Sequence, residues 1–182
     1  MMGFMLAIKH NLIAFLLVLF ASWIIESFSR GLAEGSLLFL PMGAEILVYL
    51  IFGYRVLPGV MLANFGVGCV LWHDWFGSLV FGFLGHTVFG SIAPILAIQL
   101  MRSLHLSDFF QGDKINFRHV LFLILLTALI NTLGKFFIYM DHIEESIDPV
   151  VFLLSYLAGD ILGALVFIVL ALKALPLLFK PN

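Results

Sequence analysis

The chain has 182 residues, of which 63% are apolar and only 11% are charged, and its mean hydropathy is +1.15. A soluble domain is about 45–50% apolar and about 25% charged, so this composition excludes a soluble protein and favours lipid as the solvent. A net charge of −2 leaves no polybasic surface for nucleic acid, and a single cysteine excludes both an internal disulfide and a zinc site built on cysteine pairs.

Six apolar segments are long enough to cross a bilayer, since a spanning helix needs about 20 mostly apolar residues. In chain order they cover residues 11–29, 36–54, 57–75, 76–101, 118–140 and 150–174. Backbone groups in hydrocarbon have to be hydrogen-bonded within their own segment, so each segment is expected to be a helix. The sequence therefore predicts an all-α fold: a polytopic integral membrane bundle of about six helices, with residues 1–182 in a single domain.

The connections between the segments carry further predictions. Trp72–Gly77, with two tryptophans around a His–Asp pair, is expected to turn at the membrane surface. Pro58 and Gly59 are expected at the centre of a type II turn. Residues 103–117 form either an ordinary loop or a short helix lying on the inner leaflet. Prolines inside two of the segments are expected to kink their helices: Pro41 and Pro94.

The distribution of positive charge predicts the orientation in the membrane. On the side of the membrane opposite the N-terminus, Arg30 is the only basic residue expected. The connection 141–148, which is expected on that side, has no lysine or arginine. Because cytoplasmic loops are enriched in lysine and arginine, both termini are expected in the cytoplasm. The basic residues expected on the cytoplasmic side are Lys9, Arg55, Arg102, Lys114, Arg118, Lys173 and Lys180.

Several polar side chains lie at membrane depth, where each costs a few kcal/mol unless it is paired or faces the bundle interior. In a structural interpretation, Lys135 pairs with Glu45 or Asp160 and the set fixes the register of the helices. In a functional interpretation, the residues line one cavity that binds a small ligand or ion, or that titrates. So many such residues in a short chain favour the functional interpretation. The candidate site residues are Glu45, Asn64, His86, Thr87, Asn131, Lys135 and Asp160.

Glu26 and Arg30 are treated separately, because they stand one helical turn apart near the outer end of the first segment. This spacing predicts a structural ion pair. Small residues in the patterns Gly159–Gly163 and Ala93–Ala97 allow close helix contact, and packing within the chain is expected, with homo-oligomerisation as the alternative.

No sequence signature of an enzyme is present. A nucleophile elbow, a phosphate-binding loop and a metalloprotease motif are all missing. His86 has no second histidine at membrane depth with which to hold a haem. The sequence therefore predicts no catalytic residue, no metal site and no cofactor, and we expect a protein that is not an enzyme.

Three motifs, taken in order, resemble the first MASE (membrane-associated sensor) family. Leu40–Ala44, followed by residues 50–60 and Asn64, resembles the opening of that family. Gly85-His86-Thr87 is similar to its Gly-Asn-Thr, with histidine in place of asparagine, and Gly159–Gly163 resembles its Gly-Asp-x-x-Gly. The order and spacing agree over residues 36–175, although the family is commonly drawn with about eight spans.

The resemblance implies a sensory module of the bacterial inner membrane. In that family the module usually precedes a histidine kinase, a diguanylate cyclase or a phosphodiesterase in the same chain. Here no output domain follows before Asn182, so the signal is expected to pass through a separate membrane or signalling protein. The alternatives are a substrate-capture or transport subunit of an uptake system, and a structural subunit of a larger membrane complex.

Overall fold

The computed structural model describes residues 2–29, 38–71, 82–111, 114–139 and 148–178. A 3-10 turn, Gly53–Val56, joins the second helix to the third, and a π-helix, Gly82–Phe89, leads directly into the fourth. The prediction of an all-helical fold is confirmed. The helices are α1 (Met2–Ser29), α2 (Leu40–Phe52), α3 (Leu57–Leu71), α4 (Gly90–Ser103), α5 (Phe117–Tyr139) and α6 (Pro149–Leu178).

The outer surface of the bundle is apolar. Large side chains point outward along the helices, and Phe4 and Phe137 are each 72% exposed. Surfaces of this kind are compatible with lipid, and they indicate a membrane protein whose helices contact the bilayer. Within the part of the chain that the structure describes, four helical stretches are long and apolar enough to cross a membrane: Gly3–Ile25, Leu40–Val70, Phe117–Ile138 and Pro149–Ala174.

The stretch Leu40–Val70 folds back on itself at Gly53. The backbone of Gly53 has φ +70° and ψ −167°, a conformation that is essentially restricted to glycine. Asn64 in α3 donates a hydrogen bond to Glu45 in α2 over 2.7 Å. In one straight helix, that separation along the chain would place the two residues about 28 Å apart. We conclude that α2 and α3 form an antiparallel hairpin.

The hairpin corrects two predictions about proline. α3 begins at Leu57, so Pro58 and Gly59 lie in its first turn and not in a type II turn. Pro41 likewise lies in the first turn of α2 and does not kink a helix interior. Both positions tolerate proline because the missing N–H would have no partner within the helix. The reversal is made by Gly53, whose left-handed φ a proline could not adopt.

α1 packs along this hairpin with close backbone contact. Asn11 donates a hydrogen bond to the carbonyl of Arg55 over 2.9 Å and accepts one from the N–H of Gly59 over 2.8 Å. A Cβ atom on Gly59 would approach the Cα of Asn11 to 3.1 Å, so this position requires glycine. The ring of His10 also stacks on that of Phe52, with 4.5 Å between the centroids. The N-terminal half of α1 therefore lies at the turn of the hairpin.

α2 and α6 run parallel to each other. The N–H of Phe39, just before α2, donates to the carbonyl of Gly159 over 2.9 Å. One turn further along both helices, a Cβ atom on Gly43 would lie 3.0 Å from the Cα of Ala164. The C-terminal part of α6 consequently extends toward the same end of the bundle as Gly53.

Basic side chains gather at this end of the bundle, which we call the turn end. The guanidinium of Arg102, in the last turn of α4, lies 5.2 Å from the ring centroid of Tyr54 in the 3-10 turn. Arg55 belongs to the same 3-10 turn. Arg118 lies in the first turn of α5, and Lys173 lies ten residues after Gly163 in α6.

The connection from α4 to α5 contains a short hairpin. β1 (Phe110–Gln111) pairs antiparallel with β2 (Lys114–Ile115). The N–H of Asn116 donates to the carbonyl of Phe109 over 2.9 Å, and the Phe109 side chain is buried. The interfacial helix considered for this segment is therefore wrong, because the backbone hydrogen bonds of this connection include those of a hairpin.

Some predictions fall outside the described residues. They concern the turn at Trp72–Gly77, most of the connection 141–148, and the ion pair between Glu26 and Arg30, where neither side chain is described.

Candidate functional site

The polar residues predicted at membrane depth are buried in the interior of the bundle. They come from α2, α3, the π-helix, α5 and α6, which are segments distant in sequence. Together with the buried Ser91 of α4 they are called the polar cluster below. Its members, each at most 3% exposed, are Glu45, Asn64, His86, Thr87, Ser91, Asn131, Lys135 and Asp160.

Glu45 belongs to a hydrogen-bonded network that joins three helices. Asn64 Nδ2 donates to Glu45 Oε1 over 2.7 Å and to Ser91 Oγ over 3.0 Å. The hydroxyl of Tyr49, one turn after Glu45, donates to the backbone carbonyl of Ser91 over 2.8 Å. These buried hydrogen bonds join α3 to both α2 and α4.

Among the residues that the structure describes, one side-chain amide from the neighbouring helix donates to Asp160. Asn131 Nδ2 donates to Asp160 Oδ2 over 2.8 Å and thereby joins α5 to α6. On the same helix as Asp160, a Cβ atom on Gly163 would lie 2.5 Å from the carbonyl oxygen of Phe39. The absence of a side chain at Gly163 lets the start of α2 approach α6. The small-residue pattern Gly159–Gly163 therefore serves packing within the chain, as predicted.

The ammonium group of Lys135 lies between two aromatic rings. Its Nζ is 5.2 Å from the ring centroid of Phe39 and 5.6 Å from that of Tyr156, distances typical of cation–π contacts. It interacts electrostatically with Asp160 and, less strongly, with Glu45. Within the described part of the chain, however, neither carboxylate makes a direct ion pair with it. The pairing expected in the structural interpretation is thus not what these side chains form.

His86 and Thr87 lie on the π-helix, a rare geometry that occurs frequently at functional sites. His86 interacts electrostatically with Lys135 of α5. Phe89, at the end of the π-helix, packs against Gly134, where a Cβ atom would lie 3.0 Å from Cγ of the ring. Pro94, inside α4, has no N–H to donate to the carbonyl of Gly90. Gly90 is the first residue of α4 and directly follows the π-helix.

Some buried polar atoms on these segments have no hydrogen-bond partner among the described residues. Thr127, Asn131 and Lys135 follow one another at intervals of four residues, so they share one face of α5. Buried polar groups in native proteins are nearly always hydrogen-bonded, so these atoms represent unused binding capacity. They are Thr87 Oγ1, Thr127 Oγ1, Asn131 Oδ1 and Thr132 Oγ1.

The formal charges of the cluster do not cancel. Glu45 and Asp160 contribute two negative charges and Lys135 one positive charge, which leaves −1 when His86 is neutral. A surplus buried charge is costly in a medium of low dielectric constant. Among the residues that the structure describes, no three His, Cys, Asp or Glu side chains are grouped so as to hold a metal ion.

Four residues at the site were missed by the sequence reasoning. Tyr49 follows Glu45 by four residues and Tyr156 precedes Asp160 by four, so a search for helical neighbours would have found both. Ser91 could not be found in this way. The position of Phe39 depends on a contact between distant helices, which leaves no local signal.

The fold and the polar cluster define a helical membrane protein with a charged interior. Comparison with protein-family models, with curated proteins and with solved structures gave no match. The resemblance to the first MASE family rests on the order and spacing of motifs and remains a prediction. The function has to be argued from the cluster itself, since function depends on sites rather than on folds.

Proposed function

We propose that this chain is a sensory or accessory module of the bacterial inner membrane. It spans the membrane about six times, with both termini in the cytoplasm. The polar cluster takes up a small ligand, an ion or a proton, and the resulting change in helix packing is passed to a separate partner protein. The order of the MASE-like motifs agrees with this proposal.

The proposed topology is supported by the turn end of the bundle. If α2 and α3 each cross the membrane as arms of a hairpin, the six helices account for the six segments. Arg55 and Arg102 then lie at one surface, together with Arg118 and Lys173. The positive-inside rule assigns that surface to the cytoplasm.

The observation that carries the proposal is the incomplete pairing of the polar cluster. Side chains whose only task was to fix helix register would be expected to satisfy one another's donors and acceptors and to balance their charges. Here the formal charges leave one negative charge in surplus, and Asn131 Oδ1 and Thr87 Oγ1 have no partner among the described residues. A binding site needs this unused capacity, whereas a purely structural network does not.

The same arrangement links binding at the polar cluster to a change in helix packing. The cluster connects α2, α3, α4, α5, α6 and the π-helix, so a change in its charge alters contacts between all of them. A ligand shifts a conformational equilibrium only by the difference in its affinity for the two packings. The aromatic contacts of Lys135 offer such a difference, because the ammonium group can exchange the rings of Phe39 and Tyr156 for a direct carboxylate contact.

Native mass spectrometry of the protein, released from its own membrane in a mild detergent, tests the proposal. We expect a small molecule or ion that is retained by the unmodified chain and lost in Asp160→Ala, or a partner whose binding changes in that variant. Ser22→Ala is the matched control, because it removes a buried hydrogen bond to the carbonyl of Val18, outside the cluster.

Two results would contradict the proposal. A fixed protein partner whose binding is the same in Asp160→Ala, with nothing else retained, would make the chain a structural subunit. Flux of a retained molecule across reconstituted vesicles would make it a transport subunit.

A further inference from the structure

The two buried carboxylates of the cluster are held by amides in different ways. The nitrogen of Asn64 is shared between Glu45 Oε1 and Ser91 Oγ. The nitrogen of Asn131 contacts only Asp160, through Oδ2 at 2.8 Å. Beside this contact, the amide oxygen of Asn131 is buried and has no donor among the described residues. An amide oxygen next to a carboxylate therefore lacks a proton donor.

A protonated carboxyl group supplies the donor that this geometry lacks. A carboxylic acid and a primary amide can form a cyclic pair, in which the amide N–H donates to one carboxyl oxygen and the carboxyl O–H donates to the amide oxygen. One of these two hydrogen bonds is already present between Asn131 Nδ2 and Asp160 Oδ2. The second forms when a proton is added to Asp160 Oδ1 and donated to Asn131 Oδ1.

The charges around Asp160 agree with the addition of one proton. Adding H⁺ from water to the carboxylate converts its charge from −1 to 0, and no electrons are transferred. Glu45 and Lys135 then balance each other, so the cluster becomes neutral. An anionic ligand would instead increase the surplus negative charge. The titratable groups facing this site are Glu45 and Tyr49 from α2, His86 from the π-helix, Lys135 from α5 and Tyr156 from α6.

We propose that Asp160 and Asn131 form a proton-binding site, in which one proton per chain is taken up on Asp160 and donated to Asn131 Oδ1. This inference rests on the proposed function, because it names the proton as the species that the cluster takes up. Protonation of Asp160 removes the negative charge that interacts most strongly with the ammonium group of Lys135. The ammonium group is then free to move from Asp160 toward Glu45, and this movement couples α6 to α2.

Infrared difference spectroscopy of the reconstituted protein at a series of pH values tests the site. A protonated carboxylic acid has a C=O stretching band that a carboxylate lacks. We expect one band that is absent in Asp160→Asn. In the matched variant Glu45→Gln this band is expected to remain but to appear at lower pH, because the cluster then carries one negative charge less. Asp160→Asn is expected to fold, since its amide can form the same cyclic pair with Asn131. Should that variant fail to fold, Asn131→Ala is expected to keep the band and shift it to higher frequency, because the O–H loses its acceptor.

The inference is overturned if the unmodified protein shows no protonated carboxyl, if the band survives in Asp160→Asn, or if it is absent from Glu45→Gln at every pH in the series. Its failure can be separated from failure of the proposed function. A retained molecule with no protonated Asp160 would leave the proposed function standing and overturn this inference. If Asp160 is protonated but Asp160→Asn leaves the binding of every partner unchanged, this inference stands and the proposed function is overturned.

Discussion

Replacing Gly163 with alanine tests how closely α2 and α6 have to approach. The added Cβ would lie 2.5 Å from the carbonyl oxygen of Phe39, whereas ordinary contacts begin at 3.4 Å. Phe39 would therefore have to retreat by about 1 Å, and overpacking of this kind costs about 1–3 kcal/mol. We expect Gly163→Ala to lower the free energy of unfolding despite the better helix propensity of alanine.

Gly66→Ala is the matched control, because a Cβ atom on Gly66 in α3 has nothing within 4 Å. Alanine is favoured over glycine in a helix by about 1 kcal/mol, so this control is expected to be slightly stabilised. Because this propensity gain applies to both variants, their stabilities should differ by the overpacking cost alone, about 1–3 kcal/mol. Unfolding of the purified proteins in mixed detergent micelles, followed by circular dichroism, measures this difference.

The same substitution is expected to disturb the polar cluster. Lys135 Nζ lies 5.2 Å from the centroid of the Phe39 ring. A retreat of about 1 Å brings this distance to the limit of about 6 Å for a cation–π contact. If Gly163→Ala is as stable as Gly66→Ala, the close approach of the two helices, and the placement of Phe39 that depends on it, are wrong.

Two further predictions concern the turn of the hairpin and the charge of the cluster. Gly53→Ala adds a side chain at a φ of +70° where no other atom lies within 4 Å. We therefore expect only a backbone cost, which lowers the free energy of unfolding by about 1–3 kcal/mol in the same assay. An unchanged stability would contradict the assigned turn. Lys135→Met removes the only cation of the polar cluster and leaves its carboxylates without a neighbouring positive charge. It is expected to lower the free energy of unfolding, by less than the ~3–5 kcal/mol that breaking a direct buried ion pair costs. The double variant with Glu45→Gln should recover much of this loss, and a double variant less stable than the single one would refute the coupling.

The helices could be predicted from sequence because hydrocarbon imposes a strong and simple constraint. Each apolar segment had to satisfy its own backbone, so the segments 118–140 and 150–174 were predicted to within a few residues of α5 and α6. Turn geometry was harder, because it depends on single dihedral angles. Pro58 and Gly59 carry the familiar turn signal, yet the left-handed residue is Gly53, whose neighbours give no such signal.

The charged members of the polar cluster could also be predicted, since a charged residue in an apolar segment has few places to lie except the interior. Their arrangement could not. The sequence suggested that Lys135 pairs with a carboxylate, whereas its ammonium group faces Phe39 and Tyr156. Cation–π contacts depend on the mutual position of three helices, and no spacing within one helix encodes them. The π-helix that carries His86 was missed for a similar reason, because an extra residue per turn leaves the composition unchanged.

If α2 crosses the membrane as proposed, with the hairpin turn at Gly53 at one surface, the polar cluster is exposed to the transmembrane voltage. Asp160 follows Gly159, whose carbonyl accepts a hydrogen bond from Phe39, and Phe39 lies 14 residues before Gly53. This separation corresponds to a depth of about 21 Å along the helix, or about 70% of a hydrocarbon core of about 30 Å. A charge that crosses the whole membrane gains about 2.3 kcal/mol per 100 mV, so a proton that reaches Asp160 from the turn end gains or loses about 1.6 kcal/mol. Proton uptake at the cluster would therefore respond to the energised state of the membrane as well as to pH.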